Sequence, residues 1–201
     1  MFSSVRRRAA VLVLAAATAL PAQAVRYEGQ DFADTLSLGG SSLVLNGTGK
    51  RQVAIYPMYL AALYLPQKAA TPDAIYAQPG PKRLEMRIVI PLVKDVSTQE
   101  FVKAINKGVN RNSTEAEKAA VAERVKQFNA AIAEVGRVKK GDLLHIDYVP
   151  SQGGTILTVN GKVWGKPIEG QDFYTAFLKV FLGDHNSDER LRTGLLGAQP
   201  G

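Results

Sequence analysis

The sequence predicts an α+β fold, an open-faced sandwich in which helices pack on one face of a mainly antiparallel sheet. Segments with alternating apolar residues, such as 82–90, are separated along the chain from two long helical segments, 98–109 and 115–135. Such segregation of strands and helices is typical of α+β folds, whereas strict alternation is typical of parallel α/β folds. The chain of 201 residues is long enough to form one hydrophobic core, so we expect a single domain.

The amino terminus has the three parts of a secretory signal peptide. Residues 6–8 are arginines, residues 9–20 form an uncharged apolar run, and Ala22-Gln23-Ala24 is a small-x-small cleavage site. We therefore expect a signal peptide at 1–24, cleavage after Ala24 and a mature domain at 25–201.

Composition limits the compartment and the partners. A helix that spans a bilayer needs about 20 apolar residues, and neither the signal run nor any later segment reaches that length. The absence of cysteine excludes disulfides, thiol catalysis and a lipoprotein anchor. The formal net charge of +7 includes the three signal arginines, and the other cationic residues are scattered, so nucleic acid is not an expected partner. We expect a soluble, monomeric, periplasmic protein of a Gram-negative bacterium, with secretion beyond the periplasm as the alternative.

The strand segments are predicted from alternation. In 82–90, Leu84, Met86 and Ile88 point to one side and charged residues to the other, which is typical of a half-buried antiparallel strand. Segments 143–149 and 155–159 also have strand character. Asn160-Gly161 then favours a type I′ hairpin turn that leads into a strand at 162–164.

The helices are predicted from their ends. Ser97 to Glu100 and Thr114 to Glu117 both have the S/T-x-x-E spacing of a capping box, which indicates that helices begin there. A last long helix carries aromatic residues on one face, and Gly183 is expected to end it.

Arg51 lies in a segment whose composition is otherwise that of a buried sheet. Gly47 and Gly49 before it predict a tight turn with positive φ, and 53–65 after it is apolar on both alternating faces. A buried guanidinium needs a partner. Arg51 therefore either reaches solvent from a strand end, pairs with an internal carboxylate such as Asp147, or binds an anion inside a pocket.

Three blocks, in order, resemble the chalcone isomerase fold family. Segment 45–65, LNGTGKRQVAIYPMYLAALYL, resembles the family's arginine-bearing hairpin, with a G-x-G-x-R turn and a strand that ends in a Tyr-Leu pair. Segments 82–91 and 96–103 resemble the strand that leads into its helical section. Segment 172–197 resembles its closing helices, with a helix that ends at a Leu-Gly-x-His turn. The resemblance implies this fold for nearly all of the mature chain.

The same resemblance argues against chalcone cyclisation. In the enzymes the arginine works with hydroxyl and amide side chains, and the corresponding positions here are Tyr59, Phe101, Gly108 and Val180. The last three offer no side-chain donor to a substrate ketone, so no catalytic residues are expected. The fatty-acid-binding branch of the family pairs the arginine with a tyrosine on the next strand, and this chain resembles that branch better.

Arg51 and Tyr59 are therefore the predicted carboxylate clamp, with Phe101 and Val180 as further ligand-binding residues. A guanidinium binds a carboxylate through two parallel N–H donors, and a phenol adds a third donor without charge. The ligand implied is a small amphipathic acid such as a fatty acid. The apolar residues available to line its cleft are Ile55, Leu63, Met86, Ile88, Ile105, Phe173, Phe177 and Phe181.

No metal or cofactor is predicted, because the two histidines, His145 and His185, lie on different elements and no carboxylate spacing accompanies them. Two alternatives to a carrier stay open. One is an isomerase or lyase that uses Arg51 as an electrophile and Tyr59 as an acid. The other is a partner-binding protein whose fold has no ligand pocket.

Overall fold

A computed structural model describes residues 24–90, 96–186 and 188–198 of the chain. The predicted signal peptide lies outside the described residues except for Ala24. The strands are β1 Ala24–Tyr27, β2 Gln30–Ala33, β3 Thr35–Leu38, β4 Ser41–Val53, β5 Tyr56–Leu65, β6 Lys82–Ile88, β7 Val96–Ser97, β8 Arg137–Val138, β9 Leu143–Val149, β10 Gly154–Val159 and β11 Lys162–Ile168. The helices are α1 Pro72–Ala77, α2 Thr98–Asn112, α3 Glu115–Val135, α4 Gln171–Leu182 and α5 Glu189–Leu195.

One antiparallel sheet of seven strands organises the fold, in the order β11-β10-β9-β6-β5-β4-β3. All five helices of the described residues contribute to a core on one face of it, through residues such as Ile75, Ile105, Phe128, Phe177 and Leu191. The predicted α+β sandwich with an antiparallel sheet and helices on one face is therefore confirmed. Among the described helices, none combines the length and the apolar character needed to cross a bilayer.

Strand β5 is buried on both faces, as its sequence indicates. Ala61, Leu63 and Leu65 face the helices, whereas Leu60 and Tyr64 belong to a second cluster on the opposite face. That second cluster includes residues of β2, β3 and β4. Odd-numbered positions of β5 therefore point toward the helical side, and Tyr59 lies on that side.

The predicted turn at Gly47 and Gly49 is wrong. Both glycines lie inside β4 without positive φ, and the hairpin turn comes later, where Val53 pairs with Tyr56 and Ala54 has φ of 54°. The glycines serve close packing instead, because a Cβ on Gly47 would lie 2.1 Å from the carbonyl oxygen of Gly194 in α5.

Helix ends largely follow the predictions. α3 covers the predicted 115–135, and Thr114 and Glu117 exchange both bonds of the capping box. α2 runs to Asn112, three residues beyond the predicted end. At its start Ser97 accepts a hydrogen bond from the Gln99 N–H. Glu100 pairs with Lys103 instead of bonding back to Ser97, so the capping box predicted for α2 is incomplete.

The predicted hairpin at Asn160-Gly161 is also present. Both residues have positive φ, 50° and 80°, as a type I′ turn requires, and β10 pairs with β11 around them. β11 continues to Ile168 because its pairing with β10 extends past Trp164 after a register shift. Gly183 caps α4, as predicted.

Lys82, at the start of β6, is buried, with 1% of its surface exposed. Its Nζ donates to the Gln78 carbonyl oxygen at 2.5 Å and lies 5.5 Å from the centre of the Tyr148 ring. Among the described residues no carboxylate pairs with it, and burial lowers the pKa of the Lys82 ammonium to about 8.

This lowered pKa predicts an alkaline rise in stability. Between the folded-state and unfolded-state pKa values the unfolded chain binds more protons, so the free energy of unfolding should increase by about 1–2 kcal/mol from about pH 8 to 9.5. Tyrosines, whose pKa values burial raises, contribute only above about pH 10. Urea unfolding across this range checks it, with Lys82→Met as the control that should lack the rise. An equal rise in Lys82→Met would contradict the assignment.

Candidate functional site

A cavity of about 430 Å³ lies between the helical face of the sheet and helices α2 and α4. The sheet contributes its floor, and the helices contribute its walls. Its lining is mostly apolar and includes Met58, Met86, Ile105, Phe128, Ile132, Leu157, Phe177 and Phe181. Its size falls within the range of small-ligand pockets, about 300–1,000 Å³.

Arg51 and Tyr59 are direct cross-strand partners on β4 and β5, and both line this cavity. Directly paired residues of an antiparallel ladder project their side chains to the same face, about 5 Å apart at Cβ. A register shift follows at Gln52, between Arg51 and the turn. The strand pairing therefore places a guanidinium and a phenol side by side on one wall of a mostly apolar cavity.

The internal carboxylate nearest Arg51 is Asp188, not Asp147 as the sequence suggested. Asp147 is occupied by Arg83 on the neighbouring strand, through two hydrogen bonds of 2.7 and 2.6 Å. Arg51 Nη1 instead donates to Asp188 Oδ2 at 3.3 Å, with side chains that are 27% and 13% exposed. The prediction for Asp147 is therefore wrong, because the strand register pairs Asp147 directly with Arg83.

Asp188 also accepts hydrogen bonds from the backbone. It is the N-cap of α5 and accepts from the Leu191 N–H at 3.1 Å, while its other oxygen accepts from the Gln52 N–H at 3.3 Å. Its contact with Arg51 is longer than the 2.7–2.9 Å usual for charge-assisted bonds. A guanidinium has five N–H donors, and this bond to Asp188 uses one of them.

Tyr59 keeps its proton. Burial raises the pKa of its phenol well above the usual value, the Arg51 guanidinium lowers it in part, and Asp188 adds to the rise. Its hydroxyl has no hydrogen-bond partner among the described residues, and its ring packs against Phe101 with 6.3 Å between centroids. Tyr59 is therefore a neutral donor with an available hydroxyl.

Three of the positions aligned with polar residues of the enzymes in the sequence analysis, Phe101, Gly108 and Val180, carry no polar side chain. Phe101 and Val180 line the cavity, and Val180 fills the space beside Gly108, where a Cβ would lie 2.5 Å from Val180 Cγ1. Helices α2 and α4 approach closely at this point. Phe101, Gly108 and Val180 therefore offer no side-chain donor to a ligand carbonyl. The donors in the lining are Arg51 and Tyr59 on the strands and polar side chains such as Lys103, Lys107 and Arg111 on α2.

The predicted site residues Arg51, Tyr59, Phe101 and Val180 thus share one cavity, and their ligand-binding role stays a prediction. Of the other residues proposed for the lining, Met86, Ile105, Phe177 and Phe181 reach the cavity. Leu63, Ile88 and Phe173 lie in the core, and Ile55 is 79% exposed at the hairpin tip, so these four available residues do not line the cavity. Alternation along a strand does not reveal which part of its apolar face meets empty space.

Sequence reasoning missed two parts of the site. Asp188 could have been noticed as an acidic residue placed to cap the last helix. Lys103, Lys107 and Arg111 lie along the cavity rim on α2 at intervals of four residues, a spacing that was readable from the sequence.

Comparison with known proteins identifies the family of this chain. No curated protein matches the sequence. The crystal structure of the fatty-acid binding protein AtFAP1 of Arabidopsis thaliana is similar, with a TM-score of 0.63 and 12% identity over 87% of this chain and 96% of that one. At this identity the likeness shows the fold alone. A family model described as chalcone isomerase-like matches residues 24–197. The chain belongs to the chalcone isomerase-like family, as the three resembling blocks indicated.

Proposed function

We propose that this protein is a monomeric, periplasmic, non-catalytic binding protein for an amphipathic carboxylate such as a fatty acid. One observation carries the proposal: Arg51 and Tyr59, whose hydroxyl has no hydrogen-bond partner among the described residues, lie side by side on the wall of a mostly apolar cavity. The carboxylate would bind at this pair, and the acyl chain would lie among the apolar side chains of the sheet and helices. The export signal predicted at 1–24 supports the compartment.

The chemistry of the clamp fits a carboxylate better than a neutral head group. Arg51 offers N–H donors that have no partner among the described residues, and Tyr59 offers one O–H; together they match the acceptors of a carboxylate. The Asp188 carboxylate would repel the carboxylate of a ligand at this place. Its contact with Arg51 is a single long hydrogen bond, however, so the other guanidinium N–H donors can still bind the ligand. The ligand would therefore share Arg51 with Asp188 or displace it.

The fold neighbour gives general support for a binding role, since AtFAP1 is described as a fatty-acid binding protein. Two alternatives are less well supported. A partner-binding protein without a pocket does not agree with a cavity of about 430 Å³. An isomerase or lyase would need Tyr59 as an acid, and the raised pKa of Tyr59 makes it a weak one.

Titration of the purified mature protein with a 16-carbon fatty acid tests the proposal, with the alcohol of equal chain length as the matched ligand. We expect saturable binding of the acid and at least about tenfold weaker binding of the alcohol, because only the acid forms charge-assisted bonds with Arg51. Tyr59→Phe should weaken the binding of the acid by about 1–2 kcal/mol, since one hydrogen bond to a charged group is lost.

Native mass spectrometry of protein taken from the periplasmic fraction complements the titration. It should give a chain that begins at Val25 with a bound acyl acid. A chain that keeps the signal segment would contradict the proposed compartment, and equal affinity for acid and alcohol would contradict the clamp. Saturable turnover of a chalcone by this protein, abolished in Arg51→Ala, would favour the isomerase alternative.

A further inference from the structure

The tip of the β4–β5 hairpin exposes three large apolar side chains in a row of four residues. Val53, Ile55 and Tyr56 are 52%, 79% and 56% exposed. Single exposed apolar residues are normal on protein surfaces, but a cluster at one projecting turn indicates an interaction site. Val53 also lines the cavity, so this tip lies at the cavity mouth.

A row of cations lies on α2 at the same mouth. Lys103, Lys107 and Arg111 are exposed, line the cavity rim and follow one another at intervals of four residues, which places them on one face of the helix. Lys103 pairs with Glu100 at 2.8 Å. Within the described part of the chain, Lys107 and Arg111 have neither an ion-pair nor a hydrogen-bond partner.

We propose that this face, the hairpin tip together with the α2 cation row, docks on a membrane that contains anionic phospholipids. Apolar and aromatic side chains at the tip enter the boundary between head groups and acyl chains, while the lysine and arginine side chains meet the lipid phosphates. The cavity mouth then opens toward the acyl region. This surface extends the proposed function by giving a hydrophobic ligand a path that avoids water.

A bilayer fits this surface better than a folded protein partner does. A stable protein interface buries about 800 Å² on each side with a closely packed apolar centre, and a tip of three apolar residues beside exposed cations is smaller and more charged than that. Anionic membranes, by contrast, gain affinity from each cation separately, by about fivefold for each Lys or Arg near the surface.

Sedimentation with vesicles tests the docking without any fatty acid, so its outcome is independent of the clamp. The mature protein should bind phosphatidylcholine vesicles that contain about 30% phosphatidylglycerol and should bind pure phosphatidylcholine much more weakly. Ile55→Ser should reduce binding about tenfold, and the double change Lys107→Gln and Arg111→Gln about 25-fold. Ile55→Trp should strengthen binding, a gain that a misfolded variant would not produce.

The edge strand β11 provides matched controls at the far side of the sheet. Val163→Ser alters a side chain that is 54% exposed, and Lys162→Gln with Lys166→Gln removes the same charge as the α2 double variant. These controls should bind as the unchanged protein does. Absence of binding to anionic vesicles, or equal losses in tip and control variants, would overturn the proposal. Loss of fatty-acid binding with vesicle binding intact would overturn only the clamp.

Discussion

Arg51→Gln should weaken the binding of a long-chain fatty acid by about 2–5 kcal/mol, whereas Asp188→Asn should strengthen it by about 1–2 kcal/mol. The first change removes the positive charge that would bind the carboxylate. The second removes a negative charge that contacts Arg51 at 3.3 Å and competes for the same guanidinium. Asparagine keeps the α5 cap, because it accepts the Leu191 N–H as aspartate does.

Isothermal titration of the three proteins measures these opposite shifts. Asp184→Asn is the matched control, since Asp184 is an exposed carboxylate that pairs with Arg192 rather than with Arg51. It should leave affinity nearly unchanged, because solvent and salt screen an exposed surface charge. The opposite signs matter most: a general loss of structure would weaken binding in every variant, and only direct competition at Arg51 makes Asp188→Asn bind more tightly.

Stability measurements separate a ligand clamp from a structural ion pair. The Arg51–Asp188 pair is partly exposed and makes one long contact, so Arg51→Gln should cost about 1 kcal/mol of folding free energy. A fully buried, closely bonded pair would cost about 3–5 kcal/mol on losing one partner. A loss of that larger size, together with no saturable fatty-acid binding by the unchanged protein, would make Arg51 a structural residue.

Local sequence signals predicted the local structure well. The Thr114 capping box and the Asn160-Gly161 turn involve residues close together in the chain, and their side chains determine the backbone conformation directly. The alternation in 82–90 likewise identified β6, which ends at Ile88 rather than Ile90. Such elements depend on interactions between residues that are neighbours in the chain, so the sequence alone is enough to predict them.

For the site, the sequence predicted the proximity of Arg51 and Tyr59 but not the carboxylate that pairs with Arg51. The proximity of Arg51 and Tyr59 came from the family resemblance, and strand pairing explains it. The partner of Arg51 was not predictable, because Asp188 is 137 residues away and meets Arg51 only after α5 has packed on β4. The sequence suggested Asp147 as this partner, but the register of β6 and β9 pairs Asp147 with Arg83.

Gly47 and Gly49 show why a residue type can mislead. Glycine is used both where φ is positive and where no Cβ fits, and the sequence does not distinguish the two uses. In β4 the second use applies, since a Cβ on Gly49 would lie 2.7 Å from the Leu191 carbonyl oxygen. The glycines in the G-x-G-x-R segment therefore let α5 lie directly on β4. That packing brings the Asp188 cap to Arg51.

Gly47→Ala should consequently lower the free energy of unfolding by at least about 3 kcal/mol, the upper range of overpacking effects. The added Cβ would meet the backbone oxygen of Gly194 at 2.1 Å, and a backbone atom in a helix cannot rotate away as a side chain does. Gly40→Ala is the control, because its φ of 79° is strained for alanine but nothing lies within 4 Å of a Cβ there. It should cost only about 1–2 kcal/mol.

Gly194→Ala inserts a Cβ from the other side of the same contact, 2.3 Å from the Thr48 carbonyl oxygen. Once one alanine has pushed α5 away from β4, the second should cost less than it does alone, so the double variant with Gly47→Ala should be less destabilised than the sum of the two. Urea unfolding of the single and double variants measures this. Additive losses, or a loss in Gly47→Ala no larger than in Gly40→Ala, would mean that close packing of α5 is not what these glycines provide.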